Sequence, residues 1–206
     1  MRTVKEPEIR RNEIIDAAEK IFAAKGFEKA TINDILTSIS IAKGTFYYYF
    51  KSKEEVLDAI ISRRNEAGLE RAKIIAENPK LSPVQKIIAA AMAQQPQSKA
   101  EEEFIPVLHE PANALFHQKT LTDCIIRLSP VFADIVKEGI EQGVFSTSYP
   151  SESVEILLIA GLIIFDYDYF HWNKKQQAAR IPAFLCGMER ILGAKEGGFG
   201  EFTKFL

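Results

Sequence analysis

The chain has 206 residues, 47% of them hydrophobic and 26% charged, with a formal net charge of −2. Such a chain can bury roughly 70% of its unfolded surface without a disulfide or metal staple, which excludes disordered, fibrous and disulfide-scaffold classes. The near-neutral balance also argues, on average, against a surface coated in basic residues for nucleic acid.

Helix signals run from end to end, and strand signals are almost absent. Residues 10–25 carry Ile14, Ala18, Ile21 and Phe22 on one stripe and stop at Gly26, which supplies a left-handed exit. Thr31 with Asp34 makes a capping-box-like start for a short second helix, and Ile32, Ile35, Leu36 and Ile39 share its buried face. A third short helix covers about 43–49, and Ser52 with Glu55 caps a long helix reaching about Glu77. After Asn78-Pro79 a new helix starts at Ser82-Pro83, with Gln85 as the capping partner, and runs to Gln95. Helices follow at about 100–109 and 113–142; Pro130 is expected to kink or divide the second near Ser129. Ser148 to Ser151 opens a largely apolar helix to about Trp172, and a last helix spans about Lys174 to Leu192, closed by Gly193. A glycine-rich tail carries Phe199, Phe202, Phe205 and Leu206. The expected fold is all-α, with about nine helices and no sheet.

Cys124 and Cys186 are far apart and form no redox or zinc motif; two reduced thiols are expected in preference to a disulfide. The first residues, MRTVKEPEIRRNE, contain no apolar segment of signal-peptide length. The longest apolar run, Ile156 to Phe165, is half of the roughly 20 residues a spanning helix needs. A buried helix, no membrane contact and a cytoplasmic location are therefore expected.

The informative stretch is 31–50, TINDILTSISIAKGTFYYYF. Two short helices flank a tight turn at about Ser38 to Ile41, the spacing of a helix-turn-helix whose second helix enters the DNA major groove. Lys43 can meet a phosphate or a guanine edge, Gly44 lets a backbone approach closely, and Thr45 offers a hydroxyl and a methyl. Tyr47 and Tyr48 can reach phosphates. The competing reading of FYYYF is an aromatic core cluster, and Phe46, Tyr49 and Phe50 fit it. Three adjacent tyrosines are harder to bury together, because they spread around a helix and each hydroxyl wants a partner.

Residues 10–60, through AAEKIFAAKGFEKATINDI and then AKGTFYYYFKSKEEVL, resemble the N-terminal domain of TetR-type (tetracycline-repressor-like) transcriptional regulators. The resemblance implies a three-helix DNA-binding domain at 1–52 and a helical ligand-binding and dimerisation domain at 53–206. It implies a homodimer on palindromic double-stranded operator DNA, a repressor released by a small-molecule effector, activation being the minority behaviour in such proteins. Carried over by residue, it places Thr31, Tyr47 and Lys53 at frequent phosphate-contacting positions, and Lys43, Gly44, Thr45 and Tyr48 toward the groove. Two positions depart from the pattern: Ser40 stands where the turn usually holds glycine, and Ala42 where a serine cap is usual.

The two C-terminal helices correspond to those that usually form a four-helix bundle between subunits, and the apolar 156–165 run, with Ala160 and Gly161 for close approach, agrees. The alternative is that this helix is simply core of the monomer. Candidate effector-pocket residues are Phe104, Leu108, His109, Phe116, His117, Phe132, Phe165, Tyr169 and Trp172; each is equally readable as packing, but as a set they suit an apolar or aromatic effector. Asp166 and Asp168, beside aromatics, would suit a lipophilic cation. His109, His117 and His171 have no metal-ligand spacing with a carboxylate, so no metal and no cofactor are expected. No nucleophile elbow, phosphate loop or paired-carboxylate motif points to an enzyme. The other alternative is a TetR-like fold that has lost DNA binding, against which the recognition helix keeps Lys43, Thr45, Tyr47 and Tyr48 and no acid.

Position resolves the charge. Residues 1–64 hold 12 Lys and Arg against 10 Asp and Glu, the remainder 14 against 18, so a head of +2 precedes a body of −4. The excess is small, and specificity is expected to rest on placed contacts more than on bulk field.

Overall fold

A computed structural model describes residues 6–97, 99–166 and 170–200. It contains nine helices and no strand among these residues: α1 (Pro7–Lys25), α2 (Ile32–Ser38), α3 (Lys43–Tyr49), α4 (Lys53–Ala76), α5 (Pro83–Met92), α6 (Lys99–Leu108), α7 (Ala114–Glu141), α8 (Pro150–Ile164) and α9 (Lys174–Leu192). A one-turn 3₁₀ segment, Pro111–Asn113, precedes α7.

Four of the nine helix starts among the described residues carry a side-chain cap. Thr31, Ser82 and Asn173 each accept from the third backbone N–H of the helix they open, and Asp34, Gln85 and Gln176 reach back to the cap N–H. Each box satisfies donors that a helix start leaves free. The Asn173 box is a cap that the expected helix starts do not include. Ser52 accepts from Glu55 N–H at 3.2 Å at the start of α4.

Two expectations are corrected. Pro130 does not divide α7, which runs unbroken from Ala114 to Glu141. Proline removes one backbone donor, while Leu128, Phe132, Ala133, Ile135 and Val136 on both sides of it are buried, so packing holds the helix through the defect. Helix α8 ends at Ile164, not near Trp172. The residues that follow, FDYDYFHWN, are aromatic and acidic, and carboxylates oppose the negative C-terminal end of a helix.

The chain forms two compact units, residues up to 66 with 96–123, and 67–95 with 124–206. The first has a core of Ile14, Ala18, Phe22, Ile35, Phe46, Phe50, Leu57 and Ile60, joined by Phe104 and Phe116 from the later segment. An ion-pair network supports it: Arg63 bridges Asp16 and Glu19 at 2.6 Å each, while Arg64 pairs with Glu19 and lies 3.4 Å from the Phe104 ring centre.

The second unit packs Leu69, Ala72, Ile87, Ile88, Ile135, Val136, Leu185 and Leu192 into one core. Lys86 is buried and its ammonium meets Glu138 at 2.6 Å. Helices α8 and α9 approach closely at Gly161, where a Cβ would lie 3.1 Å from the Phe184 ring. Phe199, from the tail, is fully buried; it stacks on Phe145 at 6.1 Å and donates its N–H to Glu189 at 3.1 Å. Phe202, Phe205 and Leu206 lie outside the described residues.

Phe199→Ala should therefore cost about 3–5 kcal/mol in urea unfolding, the usual penalty for truncating a buried phenylalanine. An unchanged midpoint would show that the tail adds nothing to the core.

Candidate nucleic-acid interface

Helix α3 has two faces because positions 46, 49 and 50, the last just after the helix, share one side of it. Phe46 and Phe50 are buried and Tyr49 packs half-buried against the same core. The opposite face carries Lys43, Gly44, Tyr47 and Tyr48, all exposed, with Tyr47 46% and Tyr48 77% accessible. Thr45 is half-buried at the edge. Two of the three tyrosines thus face solvent, as the difficulty of burying all three predicts. The Lys43 ammonium lies 5.8 Å from the Tyr47 ring centre, and no described residue supplies it an ion pair. A Cβ built on Gly44 would meet nothing within 4 Å. Internal packing does not require glycine there, so its smallness is available to whatever approaches from outside.

Both departures from the expected motif have visible consequences. Ser40 adopts φ +53°, the left-handed conformation that glycine would take without strain. The turn closes through Ile41 N–H to Leu36 O at 3.0 Å and Ser40 N–H to Thr37 O at 3.3 Å. Helix α3 starts at Ala42 without a side-chain cap.

Thr31 and Lys53 are placed differently from the α3 residues. The Thr31 hydroxyl donates to Asp34 Oδ2 at 2.8 Å and accepts from Asp34 N–H at 3.1 Å, while the Thr31 N–H donates to the same carboxylate at 2.9 Å. Lys53 turns inward: its ammonium donates to the carbonyls of Phe27 at 2.7 Å, Ala30 at 3.0 Å and Glu28 at 3.4 Å, and sits 4.2 Å from the Phe27 ring centre. All three N–H donors of the ammonium are engaged.

With this geometry established, comparison with known proteins gives a consistent result. A family model described as bacterial regulatory proteins of the tetR family matches residues 14–60. A second, described as the tetracyclin repressor-like C-terminal domain, matches residues 97–186. The chain belongs to the TetR family of transcriptional regulators.

The HTH-type transcriptional repressor KstR2 of Mycolicibacterium smegmatis is 26% identical over 155 residues, covering 69% of this chain and 71% of the relative. The regulator UidR of Escherichia coli is 41% identical over 61 residues, 30% of this chain and 31% of its own. Among solved structures, SmeT, the repressor of the Stenotrophomonas maltophilia multidrug efflux pump SmeDEF, aligns with a TM-score of 0.63 at 18% identity over 92% of both chains. RolR in complex with resorcinol aligns with a TM-score of 0.60 at 18% identity, over 95% of this chain and 93% of that one. These likenesses establish the shared TetR fold.

The effector-pocket candidates of this TetR-family chain separate between its units. Phe104, Leu108, His109, Phe116 and His117 belong to the first unit, and Phe132, Phe165 and Trp172 to the second. Within the first, Phe104 meets Phe116 edge-on at 5.6 Å, as His109 meets His117 at 4.6 Å. Within the second, Phe132 is core, Phe165 meets Phe184 at 5.4 Å, and Trp172 is covered by Phe170 and by Arg180, 3.5 Å from its ring centre. Tyr169 and Asp168 lie outside the described residues. The residue that sequence reasoning missed is Asn113, a buried asparagine bonded to Phe27; nothing local to position 113 signals a partner so far back in the chain.

Asp34 is the most perturbed acid of the motif. The Lys25 ammonium at 2.7 Å, then the N–H and hydroxyl of Thr31, hold its carboxyl at about 2 instead of 3.8. A lowered folded-state value means that the stabilisation is complete above about pH 4 and fades as pH falls through about 2. In acid unfolding followed by circular dichroism, wild type should lose stability relative to Asp34→Asn across that interval. Parallel curves would show that the Asp34 contacts contribute nothing to folding.

Proposed function

We propose that this TetR-family chain is a homodimeric repressor that binds palindromic operator DNA through α3 and is released by a small-molecule effector. The observation that carries the reading is the outward face of α3: Lys43, Gly44, Tyr47 and Tyr48 exposed, no acid among them, and a glycine that the fold itself does not need. Thr45 joins them at the edge. Phosphate contacts would position the dimer, and Lys43 and Thr45 would read base edges. Thr31 and Lys53 shape the motif in this reading, because their polar groups are already engaged inside it.

Dimerisation is assigned to α8 and α9. Helix α8 is apolar throughout 156–164, yet within one chain Ile156 remains 56% and Ile159 48% exposed, and only Ser153 and Val154 of the helix are buried. Ile191 on α9 is exposed as well. A self-complementary patch of this kind makes a two-fold dimer, whose symmetry an operator palindrome would match. Effector binding is assigned to the part of the chain beyond residue 52, with an apolar or aromatic ligand favoured by its aromatic residues. Operator and effector would then oppose each other by the same factor. Such a regulator works in the cytoplasm. Among the described residues no helix is long and apolar enough to cross a membrane.

Selection of bound fragments from random or genomic DNA supplies the operator, and fluorescence anisotropy on it tests the assignment. Lys43→Ala should weaken binding about tenfold, equivalent to about 1.4 kcal/mol. Gly44→Ala should stabilise the fold by about 0.5–1 kcal/mol through helix propensity and still weaken operator binding. Wild-type affinity in both variants would remove α3 from the groove. For the dimer, Ile159→Glu should sediment as a monomer where wild type sediments as a dimer; an unchanged mass would move the interface elsewhere.

A further inference from the structure

The connection that leads into α2 is held by a side chain 86 residues further along the chain. Phe27 follows Gly26, where α1 has ended and α2 has not begun, so helix geometry gives its N–H no partner. Side chains take both of its peptide groups. The N–H donates to Oδ1 of Asn113 at 2.9 Å, and the carbonyl accepts from the Lys53 ammonium at 2.7 Å.

Asn113 is fully buried, and its other polar groups are also used. Its Nδ2 donates to Val107 O at 2.9 Å and its backbone N–H to Glu110 O at 2.7 Å. One short amide therefore ties the last turn of α6 to the α1–α2 connection. The contact is close as well as polar. At Gly26, φ is +78°, and a Cβ there would lie 2.5 Å from the Ala112 Cβ. From Phe27 the constraint passes to Ala30, whose N–H donates to Gly26 O at 3.2 Å and whose carbonyl accepts from Lys53 at 3.0 Å. The next residue is Thr31, the cap of α2.

The amide chemistry is specific. Phe27 needs an acceptor and Val107 needs a donor, and a planar amide presents both at once. An aspartate would set an oxygen against the Val107 carbonyl, and a leucine would leave the buried Phe27 N–H without a partner.

We propose that Asn113 is a positioning residue for DNA binding: it fixes the α1–α2 connection, and through it where α2 and α3 stand, without touching DNA itself. The proposal rests on the reading of α2–α3 as the operator-binding motif. It makes segment 107–113 part of the DNA-binding apparatus, although it lies far outside the helix-turn-helix in sequence.

The test uses the full chain and the selected operator. Asn113→Leu keeps approximate volume and removes both bonds. Asn113→Ser is a smaller change, available if the leucine variant does not fold. Ile60→Ala, in the same core and without a hydrogen bond to the connection, controls for lost stability. Variants that are folded by circular dichroism are compared by anisotropy and by amide hydrogen exchange. Asn113→Leu should lose about tenfold in operator affinity, and Asn113→Ser a smaller amount. Both should exchange faster across residues 26–38, while Ile60→Ala stays close to wild-type affinity despite a lower melting temperature. Wild-type affinity in folded Asn113 variants overturns the proposal, and so does an equal loss in Ile60→Ala at matched destabilisation. A wild-type chain that binds no selected DNA overturns the operator reading itself.

Discussion

Two helices of seven residues each cannot stand alone in water, since nucleation costs more than so few hydrogen bonds return. The geometry of α2 and α3 therefore depends on the apolar side chains that pin them: Ile35 from α2, Phe46 from α3 and Phe50 just after it, all essentially inaccessible. Everything the motif offers to a partner is defined by which residues that core withdraws. Because Phe46, Tyr49 and Phe50 turn inward, Lys43, Gly44, Tyr47 and Tyr48 must turn outward. The outward face of α3 is the complement of the core, which also draws on Phe104 and Phe116 from beyond the long helix α4.

Polar chemistry inside the first unit follows the same dependence. The stretch between α1 and α2 has carbonyls and an N–H with no helical partner, and three elements satisfy them. Lys53 from α4 covers the carbonyls, Asn113 accepts the Phe27 N–H, and Asp34 closes on Thr31 and Lys25. Buried backbone groups left unpaired cost more than most surface ion pairs return, so these side chains are committed to the fold before any DNA arrives. Arginines 63 and 64 are likewise engaged with Asp16 and Glu19. The mild positive excess of the head is thus distributed unevenly: several cations serve the scaffold, while Lys43 has no acid beside it.

The second unit shows the opposite situation on one side. Its core is closed by Phe199 from the tail and by the buried Lys86, paired with the half-buried Glu138, yet α8 keeps isoleucines in solvent. An apolar helix is stable in water only where a neighbour covers it. The partial cover from α9, close-packed at Gly161, leaves the rest of that face for a partner subunit in the proposed dimer.

Local signals in the sequence determined a good deal: the helix starts at Thr31, Ser52 and Ser82, the stops at Gly26 and Gly193, the span of α3, and the division of its aromatics into buried and exposed sets. These are legible because capping and helical spacing act within a few residues. The tetracycline-repressor likeness was legible for a related reason, since its residues are contiguous. Tertiary structure decided the rest. It carried α7 through Pro130, because buried neighbours on both sides outweigh one missing hydrogen bond. It turned Lys53 inward onto Phe27 and gave Asn113 its role, because a cation and an amide answer to whichever unpaired groups the fold brings beside them. Spacing along a chain encodes which face a residue shares; only the folded core settles which distant group needs it.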